Sequence, residues 1–415
     1  MSDSKAASFR NCYERVGIFG EINSKNSCGI SVIEDQFGSL TIPICQSSAF
    51  EYHNFENGKK IFSGEENGYV YSRMRNPTIS MLETQLANME GAEQSLAVSS
   101  GMSAISSVLL SLLDTGDELA IVDPIYGGTQ SLCDNLLVRM GIKVVHYADV
   151  SDLTLRANPN TRVIFFESIS NPTVRVNDIH SVVSTARNIG AITVCDNTFL
   201  SPAVLKPIEL GIDIVVHSAT KYLSGHGDII AGVISGSDHY LNLIRGISNK
   251  QLGSCLGPQE AYLLHRGLRT LSLRMEQHQN GAFKVAEFLA KHPLIARVYF
   301  PGLETESRDD KNPPVWGAMV SFELRSDLNA VRKCLDSLVL FKQSVSLGDL
   351  ESLACHPATT THSGLDKEQR EKYGITDKLI RLSIGVEHPD DLIADLSQAI
   401  ALAHDKVKGA FVSVL

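Results

Sequence analysis

The residue best placed for chemistry in this chain is Lys221. It follows a mostly apolar, strand-like run, Ile212-Asp213-Ile214-Val215-Val216, and a pair of hydroxyls, Ser218 and Thr220, that alternate with Ala219. Alternating hydroxyls can converge on a shared anion beside the amine. Lysine forms Schiff bases with carbonyl compounds once its surroundings depress its pKa. A lysine flanked by donors for a phosphate-sized anion fits an aldehyde that carries a phosphate, which is the chemistry of pyridoxal phosphate. Taken alone, the motif would read as a surface lysine after a buried strand, but two further pieces join it.

Upstream, Ala191-Ile-Thr-Val-Cys-Asp196 reads as a buried parallel strand ending in a carboxylate. Ligands of open α/β sheets bind outside the carboxyl ends of the strands, so Asp196 and Lys221 are expected to reach one crevice from two strands. A pyridoxal site needs an acid to keep the pyridine nitrogen protonated. Asp196-Asn197-Thr198 is also good turn chemistry, and on that residue alone the two readings are equally good. The third piece is Ser99-Ser100-Gly101-Met102-Ser103, followed by apolar residues at helical spacing. A helix starting there would offer the Gly101 and Met102 amides to a phosphate, although many Ser-Gly helix starts are ordinary N-caps.

The elements that must position these residues alternate. Strand-like runs at Leu119–Asp123, Val144–Tyr147, Val163–Glu167, Ile192–Cys195 and Ile214–Val216 are separated by helical stretches such as Ile179–Asn188. This is the pattern of a mainly parallel sheet. Beyond about residue 266, strands at Met319–Glu323 and Ile380–Ile384 are interspersed with long helices, which predicts a smaller α+β domain. The expected organisation is an irregular, polar arm over 1–70 that packs on another subunit, a large α/β domain over 71–265 and the smaller domain over 266–415.

Composition narrows the class. At 415 residues, with 43% hydrophobic and 20% charged residues, the chain is a globular protein of more than one core. A formal net charge of −10 without any basic run argues against nucleic acid. The eight cysteines are scattered without C-x-x-C spacing, so neither zinc nor a disulfide framework is expected. His356 and His362 lack a ligand-like pattern, and His226 reads as a packing residue. Neither a signal peptide nor a membrane span is expected, which makes the cytoplasm the default location.

Together these motifs resemble the Cys/Met-metabolism family of pyridoxal-phosphate enzymes, which groups methionine γ-lyase, the cystathionine synthase and lyases, and the homoserine-ester sulfhydrylases. The resemblance runs from Gln46-Ser-Ser-Ala-Phe50 to the C-terminus. It implies a fold type I architecture and several roles. Tyr71 and Arg73, before Asn76-Pro-Thr78, would contact the phosphate of a neighbouring subunit's cofactor. Tyr126, before Gly127-Gly-Thr129, would stack on the ring, and Asn171 in Asn171-Pro-Thr173 would lie near its phenolic oxygen. Ser346 in Ser346-Leu-Gly348 and Arg381 in Arg381-Leu-Ser-Ile-Gly385 would bind substrate. A homo-oligomer is implied, a dimer at least and a pair of dimers as the family usually forms.

The resemblance also bears on the reaction. Cystathionine γ-enzymes carry a glutamate just before the Ser-Leu-Gly motif; here Val345 stands there. An apolar residue suits a thioether tail and points toward γ-elimination from methionine or toward a homoserine-ester sulfhydrylase. The chain departs from methionine γ-lyases at Gly128, where they usually have a cysteine, and its loop Gly302–Pro313 is shorter than the family's. Stretches Arg266–Val298 and Asp390–Asp395 resemble bacterial cystathionine β-lyases. The expected activity is a methionine γ-lyase-like elimination, with cystathionine β- or γ-cleavage, γ-replacement on an O-acylhomoserine, or a non-sulfur substrate such as canavanine as alternatives. A relative that binds the cofactor without turnover is disfavoured by the retention of Lys221, Asp196, Arg381 and both hydroxyls.

Overall fold

Short β-branched runs separated by capped helices fold this chain around two sheets. The computed structural model describes residues 41–303 and 316–404. Seven strands, β1 (Gln94–Val98), β2 (Glu118–Val122), β3 (Lys143–Tyr147), β4 (Thr161–Glu167), β5 (Ile192–Asp196), β6 (Ile214–Ser218) and β7 (Gly232–Gly236), build the larger sheet in the order β1-β7-β6-β5-β4-β2-β3. Strands β2 to β6 pair in parallel, and β7 runs antiparallel to both β1 and β6.

Both faces of this sheet are covered. Leu119, Ile121, Val163, Phe165, Val194 and Val216 pack on one side with Val108 and Leu109 of helix Gly101–Leu112. Residues of the opposite parity, among them Val122, Ile164, Phe166 and Val215, pack with Val182, Val183 and Ala186 of helix Ile179–Ile189. Burial on two faces is why these strands read as unbroken apolar runs rather than alternating ones.

The smaller sheet holds β8 (Ile295–Tyr299), β9 (Met319–Leu324), β10 (Lys342–Gln343), β11 (Leu353–Cys355) and β12 (Leu379–Ser383) in the order β10-β11-β12-β9-β8. Its central pairings are antiparallel, with only β10 and β11 parallel. Helices Leu328–Asp336 and Pro389–His404 belong with it. Buried Asp395, on the second of them, accepts the backbone N–H groups of Val339, Leu340 and Phe341 and so fixes the approach to β10.

The fold is therefore α/β with a mainly parallel sheet and a smaller C-terminal sheet domain, as the sequence predicts. Two compact units result: one runs to Asn171 and resumes from Val176 to Glu276, the other takes Pro172–Arg175 and continues from Gln277. No linker marks the division, because the uninterrupted helix Leu271–Lys291 supplies residues to both units. The expected irregular arm is described only from residue 41, and there it includes the helix Phe55–Ser63, capped by Asn54 and closed by Gly64 at φ 81°. Most of the shortened loop Gly302–Pro313 lies outside the described residues. No helix among the described residues is long and apolar enough to cross a membrane.

Candidate active site

Parallel strands bring their carboxyl ends to one edge of the sheet, and Asp196, Ser218 and Lys221 lie at or just beyond that edge. Asp196 closes β5, Glu167 closes β4 as its direct register partner, and Ser218 closes β6. Helix Gly101–Leu112 begins against Ser218. A Cβ on Gly101 would lie 2.7 Å from the Ser218 Cβ, so glycine alone permits this approach. Ser100 caps the helix, its hydroxyl accepting the Ser103 N–H at 3.0 Å. The Gly101 and Met102 amides, in the first turn, have no intrahelical acceptor and carry the positive end of the helix dipole.

Asp196 is about nine-tenths buried. Its Oδ1 accepts the Thr198 N–H at 3.0 Å and the Thr198 hydroxyl at 2.5 Å, while Oδ2 has no hydrogen-bond partner among the described residues. Burial raises its pKa; the two hydrogen bonds from Thr198 and the charge of His217 act against that rise without cancelling it. The Thr198 oxygen in turn accepts the Ser218 N–H at 2.8 Å. Lys221 is half-buried in the turn after β6, its N–H donating to the Ser218 carbonyl at 3.1 Å. The Thr220 hydroxyl pairs with the Ala231 peptide, receiving its N–H at 3.0 Å and donating to its carbonyl at 3.3 Å, which fastens that turn to the approach to β7.

These residues fit pyridoxal phosphate. A nearly buried carboxylate with one oxygen open calls for a donor, and a protonated pyridine nitrogen is one. The helix start offers two amides to an anion, with a serine hydroxyl beside it. Lys221 stands on the same turn as that serine.

Tyr126 caps the short helix Gly127–Ser131, and its N–H donates to Glu167 Oε1 at 2.6 Å. Its ring, 43% exposed, lies over Gly128: a Cβ there would come within 2.5 Å of Tyr126 Cε1 and 3.2 Å of Met102 Sδ. The approach to Tyr126 is held from behind. His146 on β3 bonds Asp123 through Nδ1 at 3.0 Å and Asp134 through Nε2 at 2.9 Å. Burial works against a charge on His146, but the two carboxylates outweigh it and raise its pKa to about 10. Asn171 is buried beyond the end of β4.

Tyr71 is exposed and forms a bridge with Ala49. The Arg73 guanidinium donates to the carbonyls of Asn249 and Lys250 in its own chain, at 2.9 and 3.1 Å. In the smaller unit, Arg381 on β12 is buried and donates through Nη2 to the carbonyls of Val345, at 3.1 Å, and Ser346, at 3.5 Å. The Gly348 N–H donates to Ser383 Oγ at 3.0 Å, which ties the same loop to β12 a second time. His356 faces Thr359 and the Asp377 carbonyl, His362 faces Thr361, and His226 faces the Ser224 carbonyl. No cluster of metal-ligating side chains occurs among the described residues.

Sequence reasoning passed over three features. Glu167 ends its strand with a carboxylate just as Asp196 does, a signal that was available. Thr198 was visible only as turn chemistry. The third is a buried pair, His217 Nε2 and Glu90 Oε2 at 2.9 Å, both side chains no more than 2% exposed. Its members are far apart in the chain and carry no local signal.

Comparison with known proteins accords with this geometry. The chain is 44% identical over 375 residues to the L-methionine gamma-lyase of Pseudomonas putida, spanning 88% of this chain and 94% of that protein. It is 42% identical over 369 residues to the cystathionine beta-lyase of Bacillus subtilis, spanning 88% and 92%. Among solved structures, cystathionine gamma synthase from Xanthomonas oryzae pv. oryzae, in complex with aminoacrylate and cysteine, matches with a TM-score of 0.84 at 35% identity, covering 95% of this chain and 99% of that one. A Campylobacter jejuni chain named for O-acetylhomoserine (thiol)-lyase activity, which holds N′-pyridoxyl-lysine-5′-monophosphate, matches with a TM-score of 0.85 at 35% identity, covering 94% and 99%. The pattern of the Cys/Met metabolism PLP-dependent enzymes matches residues 29–401, and the chain belongs to that family.

Proposed function

We propose that this enzyme is a methionine γ-lyase-like lyase, removing the γ-substituent of an L-amino acid; methionine and water would give 2-oxobutanoate, ammonia and methanethiol. Pyridoxal phosphate, when bound, supplies a sink for the electron pair left at Cα. The Lys221 amine takes the Cα proton and delivers it onward. Asp196 Oδ2 holds the proton of the ring nitrogen. The Gly101 and Met102 amides, with Ser218 and Thr220, would hold the phosphate, and Asn171 would lie beside the phenolic oxygen. Tyr126 would stack on the ring and move a proton near the leaving group. Arg381 clamps the substrate carboxylate, a bidentate pairing suited to a guanidinium, with Ser346 alongside.

The observation that carries the substrate reading is Val345. Its carbonyl receives the Arg381 guanidinium while its apolar side chain stays 56% exposed, which suits a thioether tail and offers nothing to a charged distal group. The 42% identity to a Bacillus subtilis cystathionine beta-lyase favours a second reading, cleavage of cystathionine. The proposal includes a cytoplasmic homo-oligomer, a pair of dimers, in which Tyr71 and Arg73 serve a neighbour's phosphate.

The test is the keto acid released when cofactor-loaded protein receives L-methionine, L-cystathionine, L-canavanine or O-acetylhomoserine separately, with Lys221→Ala as control. Methionine is expected to give 2-oxobutanoate, and Lys221→Ala to lose on the order of 10²-fold or more in rate. Pyruvate from cystathionine with methionine inert would replace the first reading by the second.

A further inference from the structure

We infer that Thr198 is a positioning residue that locks the two ends of the cofactor site together, the inference resting on the placement of pyridoxal phosphate proposed above. Its hydroxyl has one proton, and that proton goes to Asp196 Oδ1. The same oxygen accepts the Ser218 N–H at 2.8 Å. Its own N–H donates to Asp196 Oδ1 as well, at 3.0 Å. One side chain therefore bridges the end of β5, where the ring nitrogen would be held, and the end of β6, where the phosphate and Lys221 would be held.

The direction of these bonds has a consequence for Asp196. With two donors on Oδ1, that oxygen cannot itself carry a proton, so any proton shared with the ring nitrogen must sit at Oδ2. Thr198 thereby fixes which oxygen faces the cofactor and keeps the carboxylate from rotating. It also takes up the Ser218 amide at the strand end. A group with one donor and two lone pairs can make this bridge, and valine of the same shape cannot.

The experiment is reconstitution of apo-protein with pyridoxal phosphate, comparing wild type, Thr198→Val and Thr198→Ser by dissociation constant and by the absorbance band of the bound cofactor across pH. Loss of a charge-assisted hydrogen bond predicts about tenfold or more weaker binding by Thr198→Val, with Thr198→Ser within about threefold of wild type. The band and its pH midpoint should move in Thr198→Val alone, which a purely structural defect would not produce. Unchanged affinity and spectrum in Thr198→Val, or a Thr198→Ser variant as impaired as Thr198→Val, would overturn the inference. If Thr198→Val does not fold, Thr198→Ala against Thr198→Ser decides in the same way. Because cofactor uptake is the readout, a wild-type protein that binds pyridoxal phosphate but leaves methionine intact defeats the proposed activity and not this inference.

Discussion

Glu167 and Asp196 are register partners at the ends of adjacent parallel strands, yet their carboxylates serve different neighbours. Glu167 Oε1 accepts the Tyr126 N–H at 2.6 Å, while Asp196 Oδ1 is held by Thr198. The strand ends thus tie one acid to the backbone of the aromatic residue and leave the other with an oxygen open. Two like groups side by side need not share a task when their hydrogen bonds pull them apart.

Glu167→Ala tests the first of these duties. It removes the acceptor of a backbone donor at the start of a five-residue helix, at a cost of about 1–3 kcal/mol. The Tyr126 ring should lose its fixed position, lowering kcat/KM about tenfold and weakening the circular dichroism of the bound cofactor. An unaltered cofactor signal would show that Tyr126 is held by other means.

Gly128 tests the ring itself. An added Cβ would stand 2.5 Å from Tyr126 Cε1, closer than side chains approach, so Gly128→Ala must displace the ring or the helix start. The overpacking should cost about 1–3 kcal/mol of stability. Activity should fall with it, and a crystal structure of the variant should show Tyr126 rotated away from Met102. If the variant keeps full kcat/KM, the observed ring position is not the working one.

Much of this architecture could be read from the sequence, for particular reasons. Strands β2 to β6 announced themselves because burial on both faces makes them continuous apolar runs. Asp196 and Lys221 are legible because each sits at or just after the point where such a run stops, and Gly101 because helical apolar spacing begins after it. Strands β1 and β7 were not found. In β7, Gly232 and Gly236 interrupt the apolar run, and their reason is close approach: a Cβ on Gly232 would lie 2.0 Å from the Ser100 carbonyl oxygen. That constraint belongs to the packed structure and leaves no local pattern. The His217–Glu90 pair was invisible for the same reason.

That pair makes a prediction of its own. Both side chains are almost wholly buried, and Glu90 Oε1 and His217 Nδ1 have no hydrogen-bond partner among the described residues. His217→Leu would leave Glu90 as a buried carboxylate without its partner, expected to cost about 3–5 kcal/mol. Replacing Glu90 by leucine as well should recover most of that loss, since an apolar pair avoids the desolvation of both groups. Urea midpoints of the two single variants and the double variant decide it. A double variant as unstable as the sum of the singles would mean that the two side chains are not energetically coupled.

His146 predicts how stability depends on pH. Its pKa is raised from 6.5 to about 10 by Asp123 and Asp134, which overcome the opposing effect of burial. A raised value means the folded state binds the proton more tightly than the unfolded chain. The stabilisation is therefore complete below about pH 6.5, declines as pH rises, and is gone above about pH 10. At pH 6, His146→Asn should cost about 2 kcal/mol, the scale of hydrogen bonds to a charged group. Between pH 6 and pH 10 the Tm of wild type should fall toward that of the variant, so the two curves converge at the alkaline end. Parallel curves across this range would show that the Asp123–His146–Asp134 bridge holds no proton beyond its ordinary share.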